Sequence, residues 1–290
     1  MKNLDLSKLP AKKRKQIVSY LRAGIQLLYF LFLPSVFTAA FNGVKYIFTQ
    51  LGQGEKIEMT AFVSALLLVC AFTIVFGRFF CGFACAFGSL GDAMHAIYGI
   101  ICKKRKKKPR RIKPETAKKL ALIKYGILLL IALCCFAGVY QKARGTSPWD
   151  VFSMLHAGNF RLSSYVPGIV LLLLILVGMF FEERFFCRFL CPMGAVFSLL
   201  PILPFFTLHR KRENCIRGCS ACTRQCPSAV ELPSDGSMEI SGDCFQCQKC
   251  IDTCPKGNIC CGVKELHGNE ILFTLFRAVF LLTLLLWAGI

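Results

Sequence analysis

The chain has 290 residues, 55% of them hydrophobic, and a formal net charge of +20. Apolar content at that level excludes an ordinary soluble domain. The positive charge gathers mainly in two runs, Lys2 to Arg22 and Lys103 to Lys119, which flank long apolar stretches; that placement points to membrane topology and anionic lipid rather than nucleic acid.

The first apolar stretch, Ile17–Ala40, follows Lys12, Lys13, Arg14 and Lys15 and ends at Thr38-Ala39-Ala40. It looks superficially like a secretory signal but is longer than the usual apolar core of one. The expectation is an uncleaved first span, kinked at Pro34. Further spans are expected at Thr60–Gly77, Leu120–Tyr140, Tyr165–Phe181 and Ile271–Ile290, because about 20 residues of helix cross a bilayer and lipid offers unpaired backbone no partner. The connections at 41–58, with Lys45 and Lys56, and at 141–164, with Lys142, Arg144 and Arg161, are poor in charge. The positive-inside rule then puts the N-terminus and residues 205–268 in the cytoplasm and the C-terminus outside, in a multi-pass protein of the inner (cytoplasmic) membrane. Trp149 and Tyr165 fit an outer aromatic belt.

The sequence repeats itself. RFFCGFACAFGSL at 78–90 matches RFFCRFLCPMGAV at 184–196, so that Cys81 and Cys187, like Cys85 and Cys191, stand 106 residues apart. Each copy closes a hairpin of two spans with the same direction, a parallel duplication about an axis along the membrane normal. On a helix, residues four apart share a face. Each Cys-x3-Cys pair therefore presents two thiols together, and a pseudo-twofold packing brings Cys81, Cys85, Cys187 and Cys191 near one membrane surface. Such a set suits a third Fe–S site, another soft metal or a redox-active dithiol; the plain alternative is buried cysteines that only pack. Arg78 and Arg184 precede the pairs at equivalent positions. They either act on a redox site there or snorkel to the interface.

Beyond the fourth span lie two cysteine runs. Cys244-x2-Cys247-x2-Cys250-x3-Cys254-Pro255 is the bacterial ferredoxin pattern, in which three thiolates hold one [4Fe–4S] cubane and the fourth reaches its neighbour. Its partner is Cys215-x3-Cys219-x2-Cys222-x3-Cys226-Pro227. Exchange of fourth ligands assigns Cys215, Cys219, Cys222 and Cys254 to one cluster, and Cys244, Cys247, Cys250 and Cys226 to the other. Zinc also takes four cysteines, but it favours paired CxxC knuckles over two runs of four that end in Cys-Pro. Between the runs, AVELPSDGSMEISG alternates around a Pro-Ser-Asp-Gly turn and reads as a short hairpin. Cys260 and Cys261 read as packing residues.

Two Cys-x3-Cys motifs at span ends, the second followed by Pro192, and two ferredoxin runs together resemble the NapH/NosR-type membrane-bound 4Fe-4S ferredoxins (polyferredoxins), over about residues 17 to 262. The resemblance implies a four-span protein with cytoplasmic clusters that passes electrons between the quinone pool and a redox partner protein. Ala86 departs from the family's proline after Cys85, and a fifth span is not part of the basic form. The expected fold is a membrane all-α bundle of two duplicated transmembrane hairpins plus a C-terminal span, with a small α+β two-cluster ferredoxin-like domain. Its parts are residues 1–204, 205–268 and 269–290. The expected function is electron transfer, from a quinol or membrane flavoprotein through the two clusters, as a subunit of an oxidoreductase and not a complete enzyme; no dinucleotide fingerprint follows a strand. The alternative is an accessory factor that reduces or delivers a metal for a partner metalloenzyme. His95 and His156 titrate in the range a quinol's protons need, but both suit ordinary interfacial positions.

Overall fold

Pro34 lacks a backbone donor and disfavours helical geometry at Leu33, and the first apolar stretch accordingly divides there. In the computed structural model, which describes residues 11–107, 109, 111–140, 145–160, 163–262 and 270–289, α1 (Ala11–Phe32) and α2 (Val36–Gln53) meet at 61°. The bend falls at the expected kink, while the helix runs past the expected end at Ala40. Helix α2 runs on through residues that read as a loop, because Val36, Phe37, Ala40, Phe41 and Val44 bury one face. Gly54, at φ 70°, closes it with its N–H donating to Leu51 O.

Helix α3 (Ala61–Phe76) is apolar but only 16 residues long, roughly 24 Å of rise and short of a bilayer core. A five-residue π-helical turn, Phe80–Ala84, separates it from α4 (Ala86–Lys104). After α5 (Pro114–Leu120) the same order of parts recurs: α6 (Ile123–Phe136), α7 (Pro148–His156), α8 (Val166–Phe181), a second π turn at Phe186–Leu190, and α9 (Pro192–Leu199). Helix α2 packs on α3 as α7 packs on α8, and each π turn packs against the helix that opens its half, α1 or α6. Among the described residues, three helical stretches are long and apolar enough to cross a membrane: Glu115–Phe136, Ser163–Phe181 and Glu270–Trp287. The bent α1–α2 pair makes a fourth if it is one span. Lys108, Arg110, Lys142, Arg144, Arg161 and the tail before Ala11, used in the topology reading, lie outside the described residues, as do 263–269 of the expected domain boundary.

Burial is inverted relative to a soluble protein. Leu130, Leu133, Leu173, Leu174, Leu272 and Leu286 are more than half exposed, while Arg78, Arg184, Arg277 and Lys124 are buried. Outward leucines and inward charges are what lipid contact selects. The core between the halves is aromatic: Phe41 meets Trp149 edge-on at 5.1 Å and Phe87 lies 4.9 Å from Phe186. Trp149 is therefore an inward core residue of α7, not part of an outer belt; its phenylalanine neighbours bury the indole.

The cysteine-rich segment packs on one end of the bundle. Strands β1 (Leu208–Arg210) and β2 (Ile259–Cys261) pair antiparallel, with His209 opposite Cys260. Two single-turn helices, α10 (Ala221–Gln225) and α11 (Lys249–Thr253), lie between them. The stretch read as a hairpin does not pair with itself. Asp235 accepts from the Ser237 N–H at 3.0 Å, and Met238 then bridges to His209 of β1. Pro233 cannot donate to a ladder, and the free edge of β1 supplies the partner instead. Helix α12 (Glu270–Trp287) packs against α3 and starts beside the cysteine segment, where Thr274 Oγ1 donates to Gln248 Oε1 at 3.1 Å.

Candidate redox centre

All eighteen cysteines are free. Two cavities enclose the ferredoxin runs. One, about 440 Å³, is lined by Cys222, Cys226, Cys244, Cys247 and Cys250, with Leu208, Val230 and Leu232 as apolar walls. The other, about 360 Å³, is lined by Cys215, Cys219, Cys222 and Cys254. The last cysteine of each run, Cys226 or Cys254, thus lines the cavity of the other run, and Cys222 lines both. Among the described residues, no three His, Cys, Asp or Glu side chains converge on the position of a single ion. Zinc needs its sulfurs about 2.3 Å from one centre, whereas cubane thiolates each hold a different iron. The donor set fits a cubane in each cavity.

The protein surroundings alone keep these thiols protonated. Burial pushes the Cys226 thiol up to about 11, with Cys247 adding to the effect. Burial also carries Cys244 and Cys250 well above the ordinary thiol range. A metal core reverses that preference. Several groups already point at sulfur: Asn258 N–H donates to Cys254 Sγ at 3.4 Å and Arg210 Nη1 to Cys222 Sγ at 3.5 Å. Gln246 and Gln248 hold φ of 51° and 59°, a left-handed conformation that costs a non-glycine residue about 1 kcal/mol or more. This winds the Cys244–Cys250 loop around its cavity, with the Gln246 N–H turned toward Cys244.

The membrane cysteines are arranged differently from the helical face expected of them. Cys81 and Cys187 sit on the two π turns, and Cys85 and Cys191 are the extended N-caps of α4 and α9. The π turn adds a residue to the helical loop, so the second cysteine leaves the helix before the next one starts. Cys191 Sγ accepts from the Gly194 N–H at 3.2 Å, as an N-cap does. The four sulfurs lie within electrostatic reach of one another across the two halves.

What holds the halves together is a pair of crossed arginines. Arg184 donates from Nε and Nη2 to the two Asp92 oxygens at 2.8 and 2.6 Å, from Nη2 to Gly82 O at 2.8 Å, and from Nη1 to Cys81 O. Arg78 reaches the opposite way, from Nη1 to Ser198 Oγ at 3.2 Å and Gly242 O at 3.0 Å. In the repeat, Ser198 is the counterpart of Asp92. Both guanidiniums are 1% exposed, so neither snorkels. Each carboxylate has a second cation: Arg22 on α1 meets Asp92 at 2.7 Å, and Lys124 on α6 meets Asp243 at 2.6 Å. Arg22, Gln26, Asp92, Lys124 and Asp243 escape a sequence reading, since only the 106-residue offset applied to Arg78 and Arg184 hints at pairing across the halves.

Between the two arginines sits Phe245, from the loop joining Cys244 to Cys247. Its ring lies 4.9 Å from the Arg78 guanidinium and 5.6 Å from that of Arg184. Its carbonyl presses on the first π turn, where a Cβ on Gly82 would come within 2.3 Å of it. The loop that lines one cavity is thereby docked on the membrane cysteine motif. His95 and His156 hold peripheral positions: His95 Nδ1 is 3.3 Å from Phe180 O, and His156 packs edge-on to Phe30 at 5.2 Å. Cys260 and Cys261 are buried in β2.

A family model described as a 4Fe-4S binding domain matches residues 59–109 and 166–207, the two stretches that hold the repeated motif. An uncharacterized protein of Methanocaldococcus jannaschii is 30% identical over 70% of this chain and 71% of its own length. The putative electron transport protein YccM of Escherichia coli is 26% identical over 66% of the chain and 54% of its own length. The ferredoxin-type protein NapH of Haemophilus influenzae is 24% identical over 72% of the chain and 70% of its own length. No solved structure matches the chain.

Proposed function

Because the chain belongs to the NapH/NosR-type family of membrane-bound 4Fe-4S ferredoxins, we propose that it carries electrons from a membrane quinol to a redox partner through two [4Fe–4S] clusters. The observation that carries this reading is the pair of cavities, which share Cys222 and between them are lined by all eight cysteines of the two runs. Clusters held there would supply one-electron storage. The protein supplies orientation, burial and hydrogen bonds to sulfur. Cys215, Cys219, Cys222 and Cys254 hold one cluster; Cys226, Cys244, Cys247 and Cys250 hold the other. Cys81, Cys85, Cys187 and Cys191 form a further redox site under Phe245, in the stretches the 4Fe-4S family model matches. The charge runs put this end of the bundle at the cytoplasmic face.

One cavity supports the quinol reading. Between α1 and α4 an open cavity of about 1090 Å³ is apolar along Leu27, Phe30, Leu90 and Ala93 and polar at Arg22, Gln26 and Asp92. Lys249, the neighbour of Cys250, also lines it. An apolar channel that ends in donors suits an isoprenoid carrier with a carbonyl headgroup. The accessory role in metal delivery is less well supported, because no described thiol set is spaced for one ion.

Iron and acid-labile sulfide on anaerobically purified protein test the proposal, with EPR after reduction. About eight irons are expected from two cubanes, and more if the membrane thiols hold a cluster that Cys81→Ala removes. Stoichiometric zinc in place of iron would overturn it.

A further inference from the structure

Arg277 is the arginine of the C-terminal helix α12, and it is 0% exposed. A charged side chain in an apolar helix is costly unless something pairs with it or it serves a function. Among the described residues its three nitrogens have no hydrogen-bonded oxygen or nitrogen and no carboxylate at ion-pair distance; the polar group they approach is the Cys261 thiol. Snorkelling does not explain it, since the guanidinium faces inward. It is clamped between two rings, 4.6 Å from the centre of Phe79 and 4.5 Å from that of Phe273. Those rings hold its position but leave its charge uncompensated. The groups within its electrostatic reach are sulfurs, Cys261 and then Cys244. Phe273 packs against the same small core as Cys244 and Cys261, and Thr274 ties α12 to Gln248 in the cysteine loop.

We infer that Arg277 is a positioning residue whose buried charge pairs with the anionic cluster held by Cys226, Cys244, Cys247 and Cys250 and raises its reduction potential. This rests on the reading that clusters occupy the two cavities. One electron taken from the donor adds one negative charge at that cavity, and a fixed cation beside it stabilises the reduced form. At an effective dielectric near 20, a unit charge within about 10 Å of a redox centre changes a one-electron equilibrium by about tenfold or more. The sulfurs it acts on most are Cys261 and Cys244, and Cys215, Cys219 and Cys254 of the other cavity are not among them, so the effect is largest at the Cys244 cavity. Helix α12 is on this account the carrier of a charge.

The test is an EPR-monitored redox titration of the full-length protein in detergent, with iron and sulfide counted in each sample. Arg277→Gln should lower the midpoint of one cluster by at least about tenfold in its equilibrium constant, 59 mV for a one-electron couple, and leave the other in place. Arg277→Lys should restore most of the shift. Cys261→Asp keeps the arginine but sets a carboxylate beside it, and should lower the same midpoint even if Arg277→Gln fails to load iron. Unchanged midpoints in Cys261→Asp or iron-replete Arg277→Gln, or equal shifts in both clusters, overturn the inference. Wild-type protein without iron would instead overturn the cluster reading beneath it.

Discussion

Replacing Asp92 by alanine leaves two guanidiniums at the junction of the halves without their carboxylate. The Arg184 side chain is fully buried and that of Asp92 is 14% exposed, so water cannot take over the lost contacts. Breaking a buried pair by deleting one partner costs about 3–5 kcal/mol, most of it from the charge left behind. For a chain of this size that corresponds to a drop of roughly 6–20 °C in Tm. The cost depends on the stranded cation, so Asp92→Ala with Arg184→Met should cost less than the sum of the two single changes, by about 1–3 kcal/mol. The assay is thermal unfolding in detergent across the four members of the double-mutant cycle, with iron content followed in parallel. A loss under about 1 kcal/mol for Asp92→Ala, or additive effects in the double variant, would refute the claim that this ion pair clamps the two repeats.

Cys254→Ser should remove the cluster of the Cys215 cavity while the Cys244 cavity keeps its own; Cys226→Ser should do the reverse. Iron counts and the surviving EPR signal decide it, and loss of the cluster from the variant's own run instead contradicts the exchange of fourth ligands. Gly82→Ala places a methyl against the Phe245 carbonyl and should cost about 1–3 kcal/mol, seen as faster amide exchange in residues 244–250. For Asp243, burial acts to raise the carboxyl pKa, but Lys124 and Arg78 outweigh it and the net shift is downward. A lowered native pKa gives stability that is present above the unfolded value of about 4 and is lost as pH falls through the native one. Asp243→Asn should therefore flatten the acid side of a stability profile taken between pH 3 and 7, and parallel profiles would count against the Lys124–Asp243 contact.

The chemistry of this chain is readable where covalent spacing carries it. The two ferredoxin runs and the 106-residue repeat are local patterns, and they name the family before any coordinate is known. What could not be read depends on who faces whom. Residues 41–53 carry a single charge, Lys45, and come after a proline kink, so they look like a loop; their helix is stabilised by Phe37 and Phe41 packing on the other repeat. Trp149 is amphipathic and near a span end, which suits a membrane belt equally well until Phe41 and Phe186 are seen around it. The Cys-x3-Cys pairs show helical spacing, yet the π turn shifts the second cysteine off the helix. The crossed arginines were visible only as equivalent positions, because their partners are more than 90 residues away in the chain.

One small difference between the repeats has a directional result. The position held by Gly82 in the first π turn is held by Arg188 in the second, and Arg188 there bonds Glu182 at 3.1 Å. The loop bearing Phe245 can close against the first turn because no side chain is in its way; its twin is blocked by a long cation. A scaffold with two equivalent berths thus accepts its cargo at only one. Exchanging the halves would leave every cysteine in place and still dismantle the junction, since what makes the chain one-sided is a missing side chain.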